Sequence, residues 1–171
     1  GVPLDGTGDY GVQGVDVSGF VLRNSIVRNF GDDVANPNAA VPTKDSGLWF
    51  RNLSGAVIID GSTIGPNNFF VLTPTPSGVE NDGIEIWNRD TAVLTMTVSG
   101  STFTQLANDG IDVRGRRSTV NLTVDGTTTP NTFSQINGRA ISLEDNSDDA
   151  TNGTLTLNVN ANSFSTVGVA A

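Results

Sequence analysis

A three-part unit recurs along this chain, and its clearest copy runs from Asn108 to Gly138. It opens on a short apolar strand, Gly110-Ile111-Asp112-Val113. A longer alternating stretch follows, with Val120, Leu122 and Val124 on one side and Asn121, Thr123 and Asp125 on the other. Asn131-Thr132-Phe133 and a last apolar position, Ile136, complete it. The same order precedes it in Gly83-Ile84-Glu85-Ile86, Leu94-Thr95-Met96-Thr97-Val98 and Ser101-Thr102-Phe103. It returns in Ala140-Ile141-Ser142-Leu143, Leu155-Thr156-Leu157-Asn158-Val159 and Asn162-Ser163-Phe164. Two looser copies open at Gly14-Val15-Asp16-Val17 and Gly47-Leu48-Trp49-Phe50. A unit of roughly 30 residues made of period-two strands cannot bury an apolar face alone, but stacked copies bury one continuously.

Aligning the units produces columns of like residues. Ile26, Ile64, Phe103, Phe133 and Phe164 share one position. Val21, Ile59, Val98, Val124 and Val159 share a second, and Val15, Leu48, Ile84, Ile111 and Ile141 a third. Rungs stacked about 4.8 Å apart turn such columns into internal stacks. The expected fold is therefore all-β, a right-handed parallel β-helix of about five coils. An antiparallel sandwich also uses short strands and polar turns, but it has no need to keep residue types in register. The chain reads as one domain: a lead-in segment over 1–13, repeats over 14–168, and two Pro-containing, aperiodic loops at 31–45 and 65–81. Stacked Asn and Ser beside the Phe column are expected to hydrogen-bond along the helix axis.

Composition removes several kinds of chemistry. The 171 residues contain no cysteine and no histidine, so disulfides, thiolate zinc sites and Ser-His or Cys-His nucleophiles are excluded. A net charge of −9 disfavours a nucleic-acid partner. No apolar run is long enough for a membrane-crossing helix. An acidic, Thr- and Asn-rich chain without cysteine fits an extracellular or bacterial cell-surface setting. The triplets at Asn52, Asn121 and Asn152 match the glycosylation sequon, which arises by chance in such compositions.

The units, in their Gly-Ile-x-Val opener, alternating middle strand and Asn/Ser-Thr/Ser-Phe/Ile step, resemble repeats of the pectate-lyase-like superfamily. They are most similar to the passenger and adhesin repeats of bacterial surface proteins. The resemblance covers roughly residues 14 to 168. It implies a structural or adhesive solenoid module, with neighbouring coils or copies of itself as partners. No amphipathic helical stretch caps either end, so the chain is expected to meet other coils there, either as a segment of a longer solenoid or through copies stacking end to end.

The residues also allow a polysaccharide-acting protein. The middle residue of each opening strand points away from the core, giving the column Asp16, Trp49, Glu85, Asp112 and Ser142. Two residues on comes Ser18, Arg51, Trp87, Arg114 and Glu144. Tryptophans stack on sugar rings, arginines hold uronate carboxylates, and paired carboxylates serve as acid and base. The candidate ligand-binding residues are Trp49, Arg51, Trp87, Arg89, Arg114 and Arg116, with Arg117 a further partner for the carboxylates. The candidate catalytic residues are Glu85, Asp112 and Asp109. Asn81-Asp82-Gly83 and Asn108-Asp109-Gly110 resemble the Asn-x-Asp-Gly motif of polygalacturonases, and Asp32-Asp33 resembles their paired aspartates. That family also carries a Gly-His-Gly motif, which this chain lacks, and Asn-Asp-Gly equally suits a tight turn into a strand. The motifs are incomplete and the balance leans away from an enzyme. No cofactor is expected, with calcium at Asp145, Asp148 and Asp149, beside Asn146 and Asn152, as the one candidate.

Overall fold

A computed structural model describes residues 10–31, 45–67, 81–145 and 153–168. Each coil contributes three strands. Coil one has β1 (Val12–Val15), β2 (Ser18–Arg23) and β3 (Ile26–Val27); coil two has β4 (Leu48–Arg51), β5 (Ser54–Asp60) and β6 (Thr63–Ile64). Coil three has β7 (Ile84–Arg89), β8 (Val93–Ser99) and β9 (Thr102–Leu106); coil four has β10 (Ile111–Arg116), β11 (Thr119–Asp125) and β12 (Thr132–Ile136). Coil five has β13 (Ile141–Asp145), β14 (Thr154–Asn160) and β15 (Ser163–Val167). Like strands pair in parallel into three five-stranded sheets: β1-β4-β7-β10-β13, β2-β5-β8-β11-β14 and β3-β6-β9-β12-β15. The chain is a right-handed parallel β-helix of five coils, and every strand pairing among the described residues is parallel.

The corners explain how such short strands close a coil. A left-handed residue turns the chain from the first sheet to the second: Asp16, Asn52, Asp90 and Arg117 have φ of 54°, 57°, 60° and 56°. Asp and Asn tolerate this region better than most side chains. Asn24, Gly61, Gly100 and Ala161 do the same between the second and third sheets. Within the third sheet, Gln105, Gln135 and Thr166 are also left-handed, at 53°, 53° and 50°. Each breaks the period of two, so that Phe103 and Leu106, or Phe133 and Ile136, all point inward and are wholly buried.

Inside, the columns stack as the repeat requires. Leu48, Ile84 and Ile111 are aligned, as are Ile59, Val98 and Val124, all at most 1% exposed. The Phe103 and Phe133 rings lie 4.7 Å apart and 3° from parallel; Phe164 continues the pile at 5.2 Å. A polar ladder climbs beside them. The Ser25 N–H donates to Ser62 Oγ, the Ser62 N–H to Ser101 Oγ, and the Ser101 N–H to Asn131 Oδ1 at 2.8 Å. Asn131 Nδ2 then donates to Asn162 Oδ1.

Coil one departs from the expected alignment. Its strand begins at Val12, inside the segment read as a lead-in, and Val12 rather than Val15 faces Leu48. Val15 pairs with Arg51 and is 44% exposed. Leu22, not Val21, aligns with Ile59, and Val27, not Ile26, with Ile64; Val21 and Ile26 face solvent. Gln13 and Val15 therefore hold the outward positions assigned to Asp16 and Ser18. The reason is steric. A Cβ on Gly11 would stand 2.6 Å from the Gly47 carbonyl oxygen, so Gly11 is the counterpart of Gly47. Most of 31–45 and 65–81 lies outside the described residues.

Candidate functional site

The outer face of the first sheet gathers a dense set of carboxylates and arginines. Three columns run up it. Immediately before each opening strand come Ser46, Asp82, Asp109 and Arg139, as the backbone bonds of the following glycines place them. Within the strands come Trp49, Glu85, Asp112 and Ser142, then Arg51, Trp87, Arg114 and Glu144. Glu85 and Asp112 are register neighbours on adjacent rungs, as the alignment required. Both point away from the interior, yet both are at 0% exposure, and Asp82 and Asp109 are buried as well.

Each carboxylate is engaged by a neighbouring coil or by its own strand. Glu85 Oε2 accepts the Ser46 hydroxyl at 2.9 Å, and Oε1 accepts the Trp87 indole N–H at 2.6 Å. Asp82 Oδ1 accepts the Asp109 N–H and the Asn108 side-chain amide, both at 2.8 Å. Asp109 Oδ1 accepts the Arg139 N–H at 2.6 Å, while its Oδ2 lies 2.9 Å from the Arg139 guanidinium. Arg139 also grips Glu144. Arg114 Nε sits 2.7 Å from Asp112 Oδ2, with its guanidinium carbon 5.3 Å from the Trp87 ring centroid. On the lower coils Trp49 stacks on Tyr10 at 5.4 Å.

The electrostatics follow from this crowding. Burial holds the Asp82 carboxyl well above the usual carboxylate range, and the charges of Glu85 and Asp112 push it further; the Asp109 N–H works against them. Burial also lifts Asp112 to about 6, partly offset by Arg114. Tyr10 is pushed up to about 12 by burial, then by Glu85 and Asp45. Glu144 moves the other way, lowered first by its hydrogen bond from Arg139. Chemically the face is a stack of carboxyls whose ionisation is disfavoured by burial at Asp82 and Asp112, edged by arginine and tryptophan.

The remaining candidates are more scattered. Arg51 and Arg89 are exposed at the strand ends, and Arg116 pairs in register with Arg89. Arg117 binds Asp90 at the next corner, on the exposed surface. Arg89 and Asp90 border an open groove with Asp16, Asn52, Gly55 and Val93, apart from the carboxyl stack. Of the calcium candidates, Asp145 is exposed at the end of β13 and accepts the Gly153 N–H; Asp148, Asp149, Asn146 and Asn152 lie outside the described residues, as do Asp32 and Asp33. Among the described residues no three carboxylates are disposed to hold a metal ion. Sequence reasoning missed Arg139 and Ser46 as members of the face. Their signal is the position before each glycine opener, which forms a column only once coils are aligned on those glycines. Compared with family models, curated proteins and solved structures, the chain matches none.

Proposed function

We propose that this chain is a structural β-solenoid module of an extracellular or bacterial surface protein. The observation that carries the proposal is the use made of the acidic residues. Asp82 and Asp109 accept backbone N–H groups of the following coil, and Glu85 accepts a hydroxyl from the preceding one. Groups that could have served as acid and base are spent as inter-coil clamps and withdrawn from solvent. The acidic, Thr- and Asn-rich composition is the support for an exterior setting. The test is to make Asp109→Asn and Glu85→Gln and follow thermal unfolding. Clamps predict a clear loss of stability in both; unchanged melting with a selective loss of ligand binding would overturn the structural role.

A second reading, binding of acidic polysaccharide, is favoured by one column. Arg51, Trp87 and Arg114 succeed one another in register on the same face, with Arg51 exposed and the other two half-buried. A uronate chain lying along the helix axis would meet cation, ring and cation in turn. Calorimetric titration with uronate oligomers at low salt decides it. Binding weakened by Arg51→Ala and by added salt supports this reading, and no affinity at millimolar ligand removes it.

A further inference from the structure

The corner leading into the first sheet is a close contact between coils, and it recurs at each step. Coils one to four place glycine there: Gly11, Gly47, Gly83 and Gly110. A Cβ on these residues would stand 2.6, 2.7, 2.5 and 2.5 Å from the carbonyl oxygens of Gly47, Gly83, Gly110 and Ala140, one coil further on. No side chain larger than hydrogen fits that approach. The carbonyls cannot swing away, since each accepts a ladder hydrogen bond: from Val12, Leu48, Ile84 and Ile111 N–H at 2.9, 2.9, 3.0 and 3.0 Å.

Coil five alone breaks the pattern, with Ala140. Its methyl group occupies the place where a sixth coil would bring the same carbonyl oxygen. We infer that Ala140 closes the first-sheet edge of coil five to any further coil in this register, including coil one of a second copy. Ala140 is 9% exposed and belongs to the apolar core cluster. Among the described residues the other two edges are more open: Leu157, Val159 and Phe164 are 42%, 42% and 48% exposed. But the three sides of a coil rise together, and a coil held off one sheet cannot seat on the others. End-to-end growth of the kind expected from the repeats is thus blocked at one residue.

The absence of cysteine makes the test clean. In a head-to-tail pair Ser142 of one copy would lie beside Gln13 of the next, since both belong to one column. A spacing of about 4.8 Å is within disulfide reach. The double variant Gln13→Cys/Ser142→Cys is oxidised at high protein concentration with either Ala140 or Ala140→Gly, and crosslinked species are resolved on a denaturing gel. The expected result is monomer with Ala140 and a ladder of multimers with Ala140→Gly. Sedimentation of the Ala140→Gly single variant, free of introduced cysteines, is expected to show the same association. A ladder of equal strength with Ala140 would overturn the inference. So would no ladder and no association with Ala140→Gly, because the barrier would then lie at another residue.

Discussion

Asp112 carries a carboxyl that folding makes harder to ionise. Its value near 6 lies above the 3.8 of an ordinary aspartate, so its contribution to stability is complete below about pH 3.8 and is lost as pH rises to about 6. Asp82 acts in the same sense. Glu144, whose value is lowered, contributes above its ordinary 4.5 and loses that contribution in acid. The stability of the chain should therefore fall between pH 4.5 and pH 7.5, by on the order of 2–3 kcal/mol. Denaturant unfolding at the two values checks this. Asp112→Asn should flatten the trend, and an unchanged slope would show that Asp112 is not its source. Alternation in the sequence was enough to place this residue on the outward side of its strand. It could not reveal that the outward side is closed to water, because alternation records direction and not what lies over a face.

Single elements are held by side chains that reach from coil to coil. Asn131 accepts the buried Ser101 N–H and donates to the Val98 carbonyl and to Asn162. Asn131→Ala would strand that N–H at a cost of about 1–3 kcal/mol, measurable as a shift in the unfolding midpoint. Phe133 lies between two other rings at 0% exposure. Phe133→Ala should cost about 3–5 kcal/mol, more than the same change at Phe164, whose ring has only one stacking neighbour among the described residues; equal losses would contradict the stack. Both columns were visible in the sequence, and the structure keeps both. The slip came in coil one, where Gly11-Val12-Gln13-Gly14-Val15 offers two Gly-Val openers three residues apart. Pattern alone does not choose between them. The approach of the Gly47 carbonyl does, and Gly14 is needed for another reason, because a Cβ there would meet the Phe50 ring at 2.7 Å.

Among the described strands each coil packs on its neighbours, and stability should be graded along the axis. Coils three and four have a partner on both sides, and their inward residues are sealed. Coil five is open along β14 and β15. Amide exchange should be slowest in β7, β8, β10 and β11 and fastest in coils one and five; uniform protection would mean that the stack opens as one unit. The Ser and Asn ladder adds a consequence in time. Its amides point forward: Ser25 needs Ser62, Ser62 needs Ser101, and Ser101 needs Asn131, each acceptor lying in the next coil. A ribosome delivers coil one first, yet that coil's corner amide has no acceptor in the ladder until coil two has been made. Maturation must then trail synthesis by one turn along the chain, each newly delivered coil completing the one before it.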